Sequence, residues 1–164
     1  MIRKVTPQDT PAITEIYNHY IEHTVISFET RPLSEEEMQE RIIHISAEFP
    51  YFVCTDDDGK LTGYCYAHPW KERAAYHNTL ETTVYLAPGQ TGKGIGTMLM
   101  KELIDECRRK GFHALIACIT SGNAASETLH RRLGFEQVSL FKEVGNKHGR
   151  WLDVVDYELI LNKQ

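Results

Sequence analysis

Residues 90–97 have the sequence Gln-Thr-Gly-Lys-Gly-Ile-Gly-Thr, and this stretch decides the fold. Residues 79–86 precede it and are rich in β-branched side chains, which predicts a strand. Over residues 94–110 an apolar side chain recurs at every fourth position and basic side chains come at the end, which predicts an amphipathic helix. The stretch is therefore a glycine-rich turn between a strand and the N-terminus of a long helix.

A turn of this kind is suited to bind phosphate. The first N–H groups of a helix have no partner within it, and the helix dipole adds positive potential at the same place. Three glycines, Gly92, Gly94 and Gly96, let the backbone approach a ligand closely. A Walker loop would need glycine at Ala87 and a hydroxyl at Gly94, and the dinucleotide fingerprint lacks its third glycine. A tight connection without a ligand is the alternative interpretation.

The rest of the chain predicts a mixed α/β fold with the element order β-α-α-β-β-β-α-β-α-β-β. Predicted strands cover residues 2–5, 51–55, 61–68, 79–86, 114–120, 137–144 and 152–161, and a polar turn over 145–149 separates the last two. Predicted helices run from about residue 7 to 22, from a capping box at 34–37 to Pro50, over 94–110, and from an N-cap at Asn123. No repeat or linker interrupts this order, so we expect one domain over residues 1–164.

Composition excludes several classes of protein. The 164 residues carry a net charge of -5, which disfavours nucleic acid as a partner. No apolar run is long enough to span a membrane and the first residues do not resemble a signal peptide, so we expect a cytoplasmic protein that binds no membrane. The cysteines lack the spacing of a zinc site or a disulfide framework, and we expect small core residues and no metal. These cysteines are Cys54, Cys65, Cys107 and Cys118.

A second motif follows the predicted strand at 114–120. It consists of Asn123, Ser126, His130, Gly134 and Phe135. Together with residues 90–97 it resembles the two acyl-CoA signatures of the GNAT superfamily, Gln/Arg-x-x-Gly-x-Gly/Ala and Asn-x-x-Ala/Ser-x-x-x-Tyr-x-x-x-Gly-Phe. This chain departs from them at Thr91, which replaces Gln or Arg, and at His130, which replaces Tyr. The resemblance implies a three-layer fold with a mostly antiparallel, twisted central sheet of about seven strands flanked by about four helices.

Three further segments narrow the resemblance to the phosphinothricin and methionine sulfoximine acetyltransferases. They are residues 26–32 (Ile-Ser-Phe-Glu-Thr-Arg-Pro), 69–76 (Pro-Trp-Lys-Glu-Arg-Ala-Ala-Tyr) and 80–85 (Leu-Glu-Thr-Thr-Val-Tyr). This resemblance implies an enzyme that moves acetyl from acetyl-CoA to the α-amine of a small amino-acid-like substrate. It further implies direct transfer within a ternary complex, no metal, and a homodimer.

The same resemblance implies a set of site residues. The catalytic pair is Glu81 as general base and His130 close to it. The acetyl-CoA site consists of Val84, Leu86, Gly92, Lys93, Gly94, Ile95, Gly96, Thr97, Asn123 and Ser126. The acceptor site consists of Phe28, Glu29, Thr30, Lys71, Arg73 and Tyr76.

Physical chemistry supports these roles independently. An ammonium acceptor must lose a proton before it can attack a thioester, and a carboxylate such as Glu81 can remove it. The apolar neighbours of Glu81 predict that its side chain is buried, although strand alternation also allows a solvent-facing position. His130 could donate a proton to the departing thiolate, could orient Glu81 or a water, or could be a surface histidine. Arg73 offers two parallel hydrogen bonds to a carboxylate, which makes it the first choice for the amino-acid group.

Two other functions stay open from the sequence. The acceptor could be a protein N-terminus or a polyamine, and a long open groove or an acidic patch would favour either. The chain could also be a non-catalytic acyl-CoA sensor. Glu81, His130 and Arg73 together argue against a sensor, because a sensor needs no base.

Overall fold

The computed structural model describes residues 1–162 and contains the predicted elements in the predicted order. The strands are β1 (Ile2–Lys4), β2 (Tyr51–Thr55), β3 (Leu61–Pro69), β4 (Thr79–Leu86), β5 (Ala114–Thr120), β6 (Glu136–Lys147) and β7 (Arg150–Ile160). The helices are α1 (Thr10–His23), α2 (Glu35–Glu48), α3 (Ile95–Arg109) and α4 (Ala124–Arg132). Short 3-10 turns lie at Pro7–Asp9 and Ala74–Tyr76.

The seven strands form one sheet in the order β1-β2-β3-β4-β5-β7-β6, and helices cover both faces. Every neighbouring pair is antiparallel except β4 and β5, which are parallel. On one face, α1 and α2 pack against β2 and β3 through residues such as Ile13, Ile42 and Val53. On the other face, α3 packs through Leu99 and Leu103, and α4 lies against the same core. The predicted three-layer arrangement is therefore confirmed.

The two central strands separate soon after they meet. β4 and β5 pair only where Thr79–Glu81 lie beside Ala114–Ile116, although both strands continue for several residues. The hydroxyl of Thr82 donates to the carbonyl oxygen of Ile116 at 3.4 Å, just beyond the last pair. Each strand stays paired on its outer edge, β4 with β3 and β5 with β7. The inner edges therefore border a wedge-shaped gap in the middle of the sheet.

Local sequence signals account for two of the helix ends. Ser34 accepts a hydrogen bond from the Glu37 N–H at 3.1 Å, and the Glu37 carboxylate accepts one from the Ser34 N–H at 2.8 Å. This reciprocal pair is the predicted capping box at the start of α2. The side chain of Asn123 accepts from the Ser126 N–H at 3.3 Å, which confirms it as the N-cap of α4.

Two boundaries differ from the prediction. α1 begins at Thr10 rather than near Pro7, because the preceding 3-10 turn is held by the Asp9 carboxylate, which accepts from the Thr6 N–H at 2.8 Å. The last hairpin turn is shorter than residues 145–149, since β6 continues to Lys147 and only two residues, His148 and Gly149, have positive φ between the strands. The polar sequence there suggested a longer turn.

Lys147 explains the longer strand. Its side chain is buried, and its ammonium group donates to the carbonyl oxygen of Ser27 at 2.6 Å. A buried lysine needs such a partner, and this one ties the end of β6 to the loop after α1. Thr120 ties the same loop to β5, because its hydroxyl donates to the carbonyl oxygen of Val25 at 2.9 Å.

Candidate active site

A cleft of about 1200 Å³ occupies the gap between β4 and β5. It extends from the glycine-rich turn before α3, between the two strands, to the point where they meet. Other walls come from two tyrosines of α1, from the loop after α1 and from α4. The lining includes Tyr17, Tyr20, residues 26–29, Tyr66, His68, residues 81–86 and 117–120, and much of 91–97 and 123–132.

The glycine-rich turn presents free backbone donors to this cleft. The Met98 N–H donates to the Gly94 carbonyl oxygen at 3.0 Å, so the three N–H groups before Met98 have no carbonyl partner one turn back in α3. Gly92 and Gly94 have φ of 75° and 78°, and a Cβ at either would meet nothing within 4 Å. The turn is therefore open on the side where an anion can approach.

The third glycine has a different role. Gly96 lacks a positive φ, and a Cβ there would lie 3.4 Å from Leu129 of α4 and 3.8 Å from Leu86 of β4. It lets α3 pack closely against its neighbours. The approach of a ligand to the three glycines stays a prediction, and all three line the cleft.

Nine of the ten predicted acetyl-CoA residues line the cleft. They are Val84, Leu86, Gly92, Gly94, Ile95, Gly96, Thr97, Asn123 and Ser126. Lys93 does not line it, because its side chain points along the exposed turn and donates to the Gln90 amide oxygen at 3.0 Å. Thr91, which replaces the Gln or Arg of the signature that the turn resembles, also lines the cleft.

Glu81 lies where β4 and β5 part, and its side chain is 28% exposed into the cleft. The expectation of a buried carboxylate is therefore wrong. Leu80, its neighbour, is fully buried in the core on the other face of the sheet. Because strand side chains alternate between faces, the apolar neighbours of Glu81 do not surround it.

Two side chains that sequence reasoning missed lie beside Glu81. His68 stands directly opposite it on β3, with Nε2 at 4.0 Å from the Glu81 carboxylate. Cys118 on β5 is exposed to the cleft, which corrects its assignment to the core. Partial desolvation, together with the carboxylates of Glu81 and Asp156, raises the pKa of the Cys118 thiol well above its usual range. The register of β3 with β4 and of β4 with β5 brings them together, and no local motif in the sequence signals that register.

His130 is 3% exposed and makes a defined set of contacts. Its Nδ1 lies 2.7 Å from the Ser126 carbonyl oxygen, and its ring packs edge-on against Phe135 at 5.0 Å. Burial lowers the pKa of His130, although the contact with Ser126 acts in the opposite direction. The side chain is therefore a neutral imidazole near pH 7, with Nδ1–H donated to Ser126 and the lone pair on Nε2.

Of the predicted acceptor residues, Phe28 and Glu29 line the cleft. The Glu29 carboxylate accepts two hydrogen bonds from Arg41, at 2.7 and 2.9 Å, and one from the Tyr17 hydroxyl. The bonds from Arg41 lower the pKa of Glu29. Its carboxylate is thus already paired, and its observed role is to hold the loop after α1. Thr30, the next residue, is exposed outside the cleft.

The other predicted acceptor residues lie outside the cleft. Lys71 places its ammonium group 4.3 Å from the centre of the Trp70 ring, and Trp70 meets Tyr76 edge-on. Arg73 is exposed, and its guanidinium has no hydrogen bond or ion pair to residues 1–162. All three lie between β3 and β4, so their segment leaves the sheet next to His68 and returns just before Glu81.

The described residues lack two further features. Within residues 1–162, no group of three His, Cys, Asp or Glu side chains is arranged to hold a metal ion. In the same part of the chain, no helix combines the length and the apolar character needed to cross a bilayer.

Residues 2–155 match a family model described as an acetyltransferase (GNAT) domain. The chain is 43% identical over 163 residues to the phosphinothricin N-acetyltransferase of Alcaligenes faecalis, which covers 98% of this chain and 82% of that protein. It is 38% identical over 166 residues to the L-methionine sulfoximine/L-methionine sulfone acetyltransferase of Salmonella typhimurium, and this alignment covers 99% of this chain and 95% of that protein.

Solved structures agree with these matches. A phosphinothricin acetyltransferase from Sinorhizobium meliloti, solved in complex with AcCoA, superposes with a TM-score of 0.96 and 40% identity over 99% of this chain and 88% of that chain. The family model and the relatives both extend over nearly the whole chain. This protein therefore belongs to the GNAT family of acetyltransferases.

Proposed function

We propose that this enzyme transfers acetyl from acetyl-CoA to the α-amine of a small amino-acid-like acceptor of the phosphinothricin and methionine sulfoximine class. The observation that carries the proposal is the continuity of the cleft. One space joins the open N-terminus of α3 to the carboxylate of Glu81. An anionic group bound at the turn and a reacting group near Glu81 can thus belong to one extended molecule.

The proposed acetyl-CoA site uses backbone groups. The N–H groups at residues 94–97 bind the pyrophosphate, helped by the dipole of α3. The pantetheine arm lies between the parted strands, where Val84 and Leu86 border the gap and the inner edge of β4 is unpaired by β5. Asn123 and Ser126 line the same space from the start of α4. A strand N–H near the thioester stabilises the negative charge that develops on its oxygen.

Glu81 is the proposed general base. It removes a proton from the acceptor ammonium, directly or through one water, and the neutral amine attacks the thioester carbonyl carbon. The tetrahedral intermediate then expels the thiolate of CoA, which takes the second nitrogen-bound proton. Both substrates are present together, so no acetylated enzyme forms.

His130 has a proposed orienting role. A neutral imidazole with Nδ1–H committed to Ser126 can accept a hydrogen bond at Nε2 but cannot donate one there. The lowered pKa thus speaks against the predicted role as acid for the thiolate. The lone pair on Nε2 is suited to hold a water or the acceptor amine in the cleft.

The proposed acceptor site lies at the Glu81 end of the cleft. Phe28 forms one wall, and the loop that carries it is fixed through Glu29, Thr120 and Lys147. Arg73 is the proposed partner for the acceptor carboxylate, because its guanidinium is unpaired in the described chain and its segment borders His68 and Glu81. The net charge of -5 supports a small acceptor over nucleic acid.

We also propose a homodimer that acts in the cytoplasm. Several apolar side chains on β6 and β7 are exposed, namely Val138, Leu140, Phe141, Val144 and Trp151. An exposed apolar patch of this kind supports a protein interface. All four cysteines are free, as is usual in a reducing compartment. Light scattering tests the dimer, and Phe141→Glu should shift it towards monomer.

A thiol-release assay tests the proposed reaction. The acceptors are phosphinothricin, methionine sulfoximine, methionine sulfone, common amino acids, spermidine and short peptides. We expect turnover with the first three and intersecting double-reciprocal lines, as a ternary complex requires. Preference for spermidine or peptides would contradict the acceptor class, parallel lines would contradict direct transfer, and CoA release independent of any acceptor would contradict a transferase.

Substitution of the base and of the acceptor arginine tests the assigned roles. Glu81→Gln should lower kcat by about 10²- to 10⁴-fold and leave the acetyl-CoA Kd unchanged. Glu158→Gln, a half-buried carboxylate on the same sheet outside the cleft, is its control. Arg73→Ala should mainly raise the acceptor KM, with Arg150→Ala as control. If both site variants showed the same fall in kcat and the same rise in the acceptor KM, the separate roles of Glu81 and Arg73 would be contradicted.

A further inference from the structure

His68 and Glu81 form a pair at the point where the central strands part. They are directly opposite each other on β3 and β4, and the distance from Nε2 to the carboxylate is 4.0 Å. Both side chains line the cleft. His68 is 33% exposed and Glu81 28% exposed, so the pair connects the interior of the cleft with solvent.

The backbone fixes which nitrogen of His68 carries its hydrogen. Nδ1 lies 3.0 Å from the carbonyl oxygen of Pro69, which can only accept a hydrogen bond. Nδ1 therefore donates, and in the neutral imidazole the lone pair is on Nε2. This is the nitrogen that faces Glu81, so His68 is prepared to receive a proton from that carboxyl group.

The proposed reaction leaves one proton to be removed. An ammonium acceptor and acetyl-CoA yield an amide, a CoA thiol and one free proton. The thiol keeps the second nitrogen-bound proton, and the first resides on Glu81 when the amine attacks. Glu81 must lose that proton before the next turnover.

The other titratable groups around the pair do not serve this purpose at neutral pH. Tyr66 on β3, whose ring centre lies 5.8 Å from that of His68, has its pKa raised by burial. Cys118 on β5, beyond Glu81, stays protonated because desolvation and the Glu81 and Asp156 carboxylates raise its pKa. Both remain protonated near pH 7. His68 alone of these neighbours has an accepting nitrogen towards Glu81.

We propose that His68 carries the proton from Glu81 to solvent after each deprotonation of the acceptor. The inference rests on the proposed acetyl transfer. In the step, the O–H bond of the Glu81 carboxyl group breaks and an N–H bond forms at Nε2 of His68. The N–H bond at Nε2 then breaks as that proton passes to a water or buffer molecule in the cleft, which restores the neutral imidazole while Nδ1–H stays with the Pro69 carbonyl oxygen. His68 thus acts through Glu81 and is a positioning and relay residue.

The experiment compares His68→Gln and His68→Ala with wild type in dilute buffer. Gln can still hydrogen-bond near Glu81 but cannot carry a proton. We expect kcat of both variants to fall by roughly 10²-fold, the lower end of the range for a positioned proton-transfer group, with an unchanged acetyl-CoA Kd. Added imidazole should restore kcat of His68→Ala in a concentration-dependent way. His44→Gln, an exposed substitution on α2 outside the cleft, should behave as wild type in every assay.

The outcomes separate this inference from the proposed function. Wild type that acetylates no amine would end the proposed function itself. Active wild type with an equally active His68→Gln would overturn the relay, as would loss of activity in His68→Ala that imidazole does not restore. A loss of acetyl-CoA binding in both variants would assign His68 a structural role and would likewise overturn it.

Discussion

A methyl group added at Gly94 gives the sharpest test of the phosphate turn, because the chain contains a matched control. Gly94 has φ of 78° and lines the cleft at the N-cap of α3. Gly89 also has φ of 78°, lies five residues earlier in the same connection, and does not line the cleft. A Cβ at either glycine would meet no atom within 4 Å. The two alanine substitutions therefore share one conformational cost and differ only in their relation to the cleft.

The expected magnitudes follow from this geometry. An L-residue in the left-handed region costs about 1–2 kcal/mol, so each variant should have a lower free energy of unfolding by that amount. For a chain of this size, each 1 kcal/mol lowers Tm by about 2–4 °C. In Gly94→Ala the methyl group is also added at a residue that lines the cleft, so we expect it to crowd a phosphate bound at the turn. Loss of one hydrogen bond to a charged group costs about 1.5–3 kcal/mol, which weakens acetyl-CoA binding by roughly tenfold to a hundredfold.

Thermal unfolding and calorimetric titration with acetyl-CoA measure both quantities. We expect similar Tm values for the two variants and a weaker acetyl-CoA Kd for Gly94→Ala alone. Equal Kd values for Gly94→Ala and wild type would refute the proposed diphosphate position. Equal weakening in Gly89→Ala would show that any distortion of the connection suffices, and it would refute the reasoning in the same way.

Three further predictions concern the acceptor wall and the buried histidine. In Gly145→Ala a Cβ would lie 2.8 Å from Cζ of Phe28, so the ring must move. The acceptor KM should therefore rise while the acetyl-CoA Kd stays constant. Gly59→Ala, where a Cβ would meet nothing within 4 Å, should change neither constant. Arg41→Met should lower the free energy of unfolding by about 1–3 kcal/mol, because it leaves Glu29 half-buried without its cation. Arg31→Met, which breaks an exposed pair, should lower it much less, and equal losses in urea titrations would contradict this reasoning. The lowered pKa of His130 means that the unfolded chain gains a proton on this side chain first as pH falls below about 6.5, so stability decreases from there towards lower pH. Urea titrations of His130→Gln between about pH 7 and pH 5 should show a flatter dependence than wild type, and an identical slope would count against the buried neutral imidazole.

Local patterns were sufficient for most of the fold. The periodicity of residues 94–110 predicted α3 to within a residue at each end, and the capping box predicted the start of α2. These signals operate within a few residues of the chain, where hydrogen bonds and alternation act directly. The last hairpin turn was mispredicted because Lys147 is stabilised by the distant carbonyl of Ser27, which no local pattern encodes.

The site was predicted only in part for the same reason. Family motifs located Glu81 and His130 in the cleft, but the partners of Glu29 and Glu81 depend on tertiary packing. Arg41 reaches Glu29 from another helix, and His68 reaches Glu81 only through the register of two strands. A shift of one residue in that register would place either side chain on the opposite face of the sheet. The sequence also does not predict which cysteine is exposed, since Cys118 differs from the three buried cysteines only by its position beside the gap between β4 and β5.

The short contact between β4 and β5 leaves the middle of the sheet without a full ladder of hydrogen bonds. An elongated molecule that hydrogen-bonds to both inner edges would act as a brace across the middle of the protein. At a concentration one hundred times its Kd, such a molecule adds about 2.7 kcal/mol to stability. The resistance of the enzyme to heat and to proteases would then rise and fall with the cellular concentration of acetyl-CoA. In a starved cell the enzyme would be less stable and would be degraded sooner.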